Sequence, residues 1–481
     1  MKTRSDLEDT APRRGRSPTS ASSAVSGFRI LLLTPYTGGN LGDGAIQDAV
    51  VHNFRKRLSD PMIRMVTLSP RVTSELHGLP SFPIASPVND GELPPPESST
   101  LAPPDRRNAS ANFKQSFKQS LRRVPWFFQG LKTGKRIIQK FMSTGQGAQR
   151  EVRHLLQAHR LLKETDLLLV SGGGQIDDYW GGAFGHPYAL VKWASLARVS
   201  KIPVVFLSVG VCSLGSSWSR RFALRALRLA AYRSYRDRGS KELLREASFT
   251  HSDPVYPDLA FSHPCTRQPP FIPVDPTREK SVIGISPIAY LSPHGWPERD
   301  QGFYARYLRV LCELTGKILE AGHTVVLFTS ALMDQHAVND LHAKLQQSPG
   351  SESWGGRLRQ VEQTCLEKQL EEIRKMDMVL ASRLHGVILS HLLGKPALAI
   401  SYDRKVRAHM ESMGQQRFCF NHRDCSLSQL WDGFEKLGLE SNAIAADIRF
   451  KVKESGQKLD QQYDLVVQLV GQIRQNAGNV R

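Results

Sequence analysis

Two doubly wound α/β domains facing each other across a cleft are the fold the sequence predicts, on three observations. Short, nearly continuous apolar runs alternate with helical patterns, as parallel strands buried on both faces do when crossover helices link them. Several of those runs end in glycine-rich or charged turns, where α/β sheets open onto a ligand crevice. A proline-rich stretch, Ser262–Lys280, reads as a linker between one such series and a second.

In the first series, Phe28–Pro35 reads as a buried strand, followed by the turn Gly38–Gly44 and a helix from about Ala45. Met62–Leu68 is the second strand, and Ser69–Asp105, rich in Pro and Ser, is expected to be a long surface loop. A helix over Glu151–Lys163 leads into the strand Asp166–Val170, which ends in Ser171-Gly172-Gly173-Gly174. The helix Pro187–Val199 precedes the strand Pro203–Val209, and an arginine-studded helix, Arg220–Ala231, precedes the short strand Ser234–Arg236. The second series has strands at Val282–Ser286, Thr324–Phe328, Met378–Ala381 and Ala397–Ser401, with helices between them. A helical pattern over Asp447–Ile473 is placed to fold back across both domains. The resulting division is a disordered tail at 1–27, an N-terminal Rossmann-like domain at 28–265 with an irregular basic insert at 71–150, a C-terminal Rossmann-like domain at 281–440, and a helical tail at 441–481.

Composition narrows the class. Hydrophobic residues at 40% and charged residues at 23% of 481 are those of a globular chain. No apolar run approaches the roughly 18 residues that would span a bilayer, and residues 1–27 lack the apolar core of a secretory signal. The six cysteines form no CxxC pair, which fits a reducing compartment, so a cytoplasmic location is expected. Cys419, His422 and Cys425 lie close together, but no fourth ligand is near, and no metal is expected.

The net charge of +19 is uneven: residues 101–150 carry eleven Lys/Arg against the single Asp105. Such charge attracts nucleic acid, anionic lipid or an acidic substrate. Within 113–141, Phe113, Phe117 and Leu121 recur every four residues beside Lys114 and Lys118, and Trp126-Phe127-Phe128 follow Pro125. That pattern is read first as a solvated basic helix packing its aromatics on the protein itself, with peripheral contact with an anionic membrane surface as the alternative.

The sharpest chemical signal is Ser382-Arg383-Leu384-His385-Gly386, which follows a buried strand and opens an apolar helix. A helix N-terminus favours an anion, Arg383 adds a planar fork for carboxylate or phosphate, and His385 can exchange protons near neutrality. Gly386 removes a Cβ where a ligand or backbone comes close. A structural ion pair at Arg383 and a helix cap at His385 fit the same spacing. Arg236, beside Asp237 at the end of a short strand, is either a cation facing the cleft or a surface pair. Neither glycine-rich turn is a GxGxxG or a phosphate-binding Gly-Lys-Ser/Thr loop; both read as tight turns bordering the cleft. Asp43, Asp177 and Asp178 are carboxylates in or beside them, suited to sugar hydroxyls or to a base.

Five segments then occur in order: Gly39-Asn40-Leu41-Gly42-Asp43, Ser171-Gly172-Gly173-Gly174, Arg236-Asp237, Arg383-Leu384-His385-Gly386 and Asp403-Arg404-Lys405-Val406. Together they resemble the polysaccharide pyruvyl transferase family from about Phe28 to Gly414, with an interruption near 71–150. One departure is Gly44, where the family more often has an acidic residue. The resemblance implies a glycosyltransferase-B-like pair of Rossmann domains, with an acceptor side in the N-terminal domain and a donor side in the C-terminal one. It implies phosphoenolpyruvate as donor, with no cofactor, and a ketal bridging two hydroxyls of a polysaccharide or lipid-linked saccharide. By similarity, Arg236, Arg383, His385 and Gly386 bind the donor, with Arg383 and His385 catalytic. Asn40, Asp43, Gly173, Gly174 and Asp177 then fall on the acceptor side. The rival expectations are a nucleotide-sugar glycosyltransferase of the same fold and a basic, non-catalytic protein that binds nucleic acid or membrane.

Overall fold

A computed structural model describes residues 27–86, 145–179, 181–212, 214–267, 280–294, 296, 298–362 and 365–478. The basic stretch 113–141 and the tail 1–26 lie outside these residues.

The first sheet is built from β1 (Arg29–Leu33), β2 (Met62–Thr67), β3 (Ser81–Pro83), β4 (Leu167–Ser171), β5 (Val204–Val209) and β6 (Tyr232–Tyr235). Its order is β3-β2-β1-β4-β5-β6, and the pairings are parallel. Helices α1 (Leu41–Arg57), α2 (Pro70–His77), α3 (Gly145–Lys163), α4 (His186–Val199), α5 (Ser217–Arg228) and α6 (Arg238–Glu246) complete the domain. Alternate side chains of β1 serve opposite layers, as the two-residue strand period requires. Ile30 and Leu32 pack with Ile46 and Val50 of α1, whereas Leu31 and Leu33 pack with Trp193 and Ala197 of α4.

The second sheet repeats the plan with β7 (Val282–Ser286), β8 (Thr324–Leu327), β9 (Leu358–Gln360), β10 (Met378–Ala381), β11 (Ala397–Ser401) and β12 (Cys419–Asn421), in the order β12-β11-β10-β7-β8-β9. Around it lie α7 (Gln301–Glu320), α8 (Gln335–Gln346), α9 (Leu366–Arg374), α10 (Leu384–Leu392), α11 (Arg404–Ser412) and α12 (Leu427–Leu439). Two doubly wound sheets are thus the observed architecture, and the order of each reverses beside its first strand, which places the ligand crevice at the carboxyl ends of the strands.

The long helix α13 (Ser441–Gly478) crosses both units. In the C-terminal unit its Ile444 and Ile448 are buried in the core. In the N-terminal unit Tyr463 meets the Phe54 ring edge-on at 5.6 Å, Arg57 pairs with Asp460 and Asp464 at 2.6 Å each, and Gln462 bonds Ser208 and Ser234. The units also join directly at the cleft, where the Leu41 N–H donates to the Ser330 carbonyl at 2.9 Å and the Leu332 N–H to the Gly39 carbonyl at 2.8 Å.

The structure corrects the expected loop at Ser69–Asp105, and with it the start of the irregular insert at 71. Residues 70–77 are helix α2, closed by Gly78 at φ 63°, and Ser81–Pro83 pairs with β2 as an edge strand. Pro70 belongs to the stretch whose Pro and Ser content suggested a loop, yet at the first helical position its missing N–H costs nothing. Three-residue edge strands such as β3, β9 and β12 carry too few residues to show a period. The start of the expected linker is also ordered: Leu259–Ser262 and Pro264–Arg267 are single 3-10 turns, with Phe261 and Cys265 buried in the core.

A candidate active site at the interdomain cleft

The site forms where strand ends of the two sheets face each other. From the N-terminal domain, the turn after β1 delivers Asn40, which caps α1 by accepting from the Gly42 N–H at 3.1 Å. The Asn40 Nδ2 donates to Asp43 Oδ2 at 2.8 Å, so both ends of the amide are held. From the other domain, β10 ends in Ser382 and Arg383, and His385 lies in the first turn of α10.

His385 crosses the boundary. Its Nδ1 is 3.2 Å from Asn40 Oδ1 and its Nε2 is 3.9 Å from Asp43 Oδ1. Because Asn40 Oδ1 can only accept, Nδ1 carries the proton and Nε2 presents its lone pair. Nε2 is buried without a hydrogen-bond partner among the described residues. Burial holds the ring down to about 4, against the pull of Asp43. The Asp43 carboxyl is pushed up by burial, although a third of its side chain (32%) still faces the cleft. Gly42 makes the approach feasible, since a Cβ there would stand 1.9 Å from His385 Cγ.

Arg383 is clamped by both oxygens of the fully buried Asp334, through Nε and through Nη2 at 2.9 Å. Asp334 also accepts from the Ala289 N–H, and the guanidinium carbon stands 5.8 Å from the centre of the Trp296 ring. The fork therefore turns its Nε and Nη2 edge to a structural carboxylate, while Nη1 has no hydrogen-bond partner among the described residues. Arg236, with only 7% of its side chain exposed, makes two looser contacts, 3.4 Å to Asp258 and 3.4 Å to Asp237. Burial opposes its charge, but Asp258 and Asp237 outweigh that and raise its pKa.

The glycine-rich turn after β4 lies against the same centre. Gly173 adopts φ 64°, and a Cβ there would touch Asp43 Oδ1 at 3.4 Å; the corresponding point on Gly174 is 3.9 Å from Lys405 Nζ. Lys405 in turn lies 4.0 Å from Asp177 and 3.8 Å from Asp403. Asp177 caps its own turn through the Tyr179 N–H, and Asp178 accepts from the Gly215 and Ser216 N–H groups, so it serves the loop before α5. Gly386 packs beside Ala381, with Ser286 Oγ and Ser330 Oγ both 3.6 Å from the place of its missing Cβ. Those two buried hydroxyls have no partner among the described residues. Together with the first turn of α10 they form a polar cradle at strand ends β7 and β8.

Of the residues singled out from the sequence, Asp178 serves the loop before α5 and Gly386 packs against Ser286 and Ser330, and the other eight gather at the cleft. Asn40, Asp43, Gly173 and His385 converge on a single point; Gly174 and Asp177 gather around Lys405, and Arg236 and Arg383 flank the centre while already holding carboxylates. Asp334, Asp258, Trp296, Ser286 and Ser330 were not read from the sequence, and Lys405 was read only as part of a motif. The Asp334 and Asp258 partners are distant in sequence from the arginines they hold, so no spacing could reveal them. At Gly44 a side chain would meet the Tyr36 hydroxyl at 3.0 Å, so the residue after Asp43 has little room to add a carboxylate.

Solved structures share this architecture at low identity. A UDP-GlcNAc 2-epimerase from Methanocaldococcus jannaschii superposes with TM-score 0.50 at 12% identity, covering 85% of this chain and 92% of that one. A glycosyltransferase from Rickettsia africae gives TM-score 0.51 at 11% identity over 94% and 99%. A UDP-GlcNAc 2-epimerase from Neisseria meningitidis bound to UDP-GlcNAc gives 0.51 at 11% over 92% and 100%. These likenesses establish the glycosyltransferase-B-like fold. No curated protein matches the chain significantly. The polysaccharide pyruvyl transferase family model, however, matches residues 40–404, running from the asparagine that holds His385 to the first residue of α11. The chain belongs to the polysaccharide pyruvyl transferase family.

Proposed function

We propose that this transferase moves the enolpyruvyl carbons of phosphoenolpyruvate onto two hydroxyls of a saccharide, leaving a pyruvate ketal and inorganic phosphate. The observation that carries the proposal is the lone pair of His385 Nε2, buried and unpartnered beside Asp43. A basic nitrogen and a carboxyl whose pKa burial has raised form an acid–base pair whose members are suited to opposite proton transfers.

In this mechanism protonated Asp43 gives its proton to the methylene carbon, which becomes the methyl group. A sugar hydroxyl oxygen attacks C2 and passes its proton to His385 Nε2, from which Asp43 is reprotonated. The C2–O bond to phosphate then breaks, the second hydroxyl attacks, and its proton leaves with phosphate. Two hydroxyl protons are consumed, one ending on the methyl carbon and one on phosphate. Arg236, the free edge of Arg383 and Lys405 offset the donor's negative charge, and the first turn of α10 with Ser286 and Ser330 suits its phosphate. The hydroxyl-rich acceptor falls to the carboxylate side, Asp43 and Asp177. No helix among the described residues is long and apolar enough to cross a membrane; we place the reaction in the cytoplasm, where phosphoenolpyruvate is available.

Calorimetric titration with phosphoenolpyruvate, with UDP-sugars as rival donors, tests the reading. Binding of phosphoenolpyruvate that is lost in Arg236→Ala supports it. Silence toward phosphoenolpyruvate with binding of a UDP-sugar overturns it in favour of a nucleotide-sugar glycosyltransferase.

A further inference from the structure

The segment from Tyr179 to Arg236 spans 58 residues and contains nine Lys/Arg but no Asp or Glu. It includes α4 and α5, which cover one face of the first sheet. The inner side of α5 is apolar, with Ala223, Leu224, Ala226 and Leu227 buried. Its outer side exposes Trp218, Arg220, Arg221, Arg225 and Arg228. Trp218 is 52% exposed, and across Phe222 it joins Phe184, itself 44% exposed, with ring centres 5.7 Å apart at each step. The Arg221 guanidinium lies 5.2 Å from the Trp218 ring. None of the four arginines of α5 forms an ion pair among the described residues.

We propose that this face docks the enzyme on an anionic lipid surface, with Phe184 and Trp218 entering the headgroup layer and the arginines of α5 lying along it. Apolar rings ringed by cations are what an anionic interface selects, and arginine stems lie along apolar surface while their heads reach phosphate. The carboxylates nearest the rings are already engaged, Glu151 by Tyr188 and Lys192 and Asp178 by the Gly215 and Ser216 N–H groups. The face is formed by the outer sides of two neighbouring helices, α4 and α5. Its position argues for the same partner. Phe184 and Trp218 lie near the N-terminal ends of α4 and α5, at the carboxyl edge of the sheet. Asp178, next to Asp177, ties the loop that enters α5. The lipid surface would therefore adjoin the mouth of the cleft, where a membrane-borne acceptor could be presented. This inference does not depend on the identity of the donor.

The test is co-sedimentation of the full chain with vesicles of phosphatidylglycerol and phosphatidylcholine, against phosphatidylcholine alone, over a salt series. Binding to the anionic vesicles should weaken with salt, and should fall by about tenfold or more in both Phe184→Ala/Trp218→Ala and Arg220→Gln/Arg221→Gln/Arg225→Gln. Substitution of these exposed side chains should leave the circular dichroism and urea unfolding of the wild type intact. Wild-type vesicle binding in both variants would overturn the proposal. So would binding lost only when Lys114, Lys118, Arg122 and Arg123 are neutralised, or a preference for duplex DNA that the α5 substitutions abolish.

Discussion

His385 and Asn40 meet across the domain boundary, and their contact decides which ring nitrogen is basic. The Asn40 amide is oriented by the Gly42 N–H on its oxygen and by Asp43 on its nitrogen. The His385 Nδ1, 3.2 Å from that oxygen, therefore holds the proton, and Nε2 stays open toward Asp43. Since Asn40 also caps α1, the ring is aligned only when the two domains are closed on each other.

A pH profile follows from that geometry. Burial holds His385 down to about 4, so its base form is complete above that value and is lost as pH falls through it. The acid limb of kcat/KM should therefore lie well below 6.5. Asn40→Asp places an anion beside Nδ1, stabilises the imidazolium and should move the limb upward. An acid limb near 6.5 in the wild type, unmoved by Asn40→Asp, would refute the assignment.

Gly42→Ala should lower kcat by about 100-fold while the protein remains folded, because a displacement of about 1 Å at a catalytic group has that effect. The new methyl would stand 1.9 Å from His385 Cγ, and the ring must yield. Circular dichroism and turnover, measured together, separate misplacement from unfolding. Wild-type turnover would show that His385 is not used where it stands.

Arg383 has two roles that a mutation series can divide. Arg383→Ala leaves the Asp334 charge fully buried with one backbone N–H, and loss of one partner of a buried pair costs about 3–5 kcal/mol. Adding Asp334→Ala should recover much of that stability in urea unfolding. Donor binding should stay absent in the double variant if the Nη1 edge holds the donor, and its return would reduce Arg383 to a structural partner.

These pairs show how far the sequence could be read. Buried strands such as β4 and β5 are legible because both faces are covered and nearly every residue is apolar. His385 and Asn40 are each visible at a strand end, but 345 positions separate them, and only the packing of two domains brings them together. The Arg383–Asp334 clamp is hidden for the same reason, and Ser286 and Ser330 are hidden because an orphan hydroxyl has no sequence mark. The helix α2 was obscured by a proline that starts a helix rather than ending one.

His422 offers a last test, on stability. Its ring stacks on Tyr307 at 4.2 Å and on Phe303 at 4.8 Å, and neither ring nitrogen has a partner among the described residues. Burial pushes it down to about 3, with Arg306 and Arg423 adding to the effect. The unfolded chain takes up a proton near 6.5, while the folded ring stays neutral to much lower pH. Stability is thus unaffected above 6.5 and declines as pH falls below it. At pH 5 the deficit from this one ring is about 2 kcal/mol. His422→Phe keeps the stack and removes the titration, so urea unfolding should show little change from wild type at pH 8 and a gain of up to about 2 kcal/mol at pH 5. Equal differences at the two pH values would mean that the buried ring is not held neutral, and that an unmet hydrogen bond, independent of pH, is what His422 contributes.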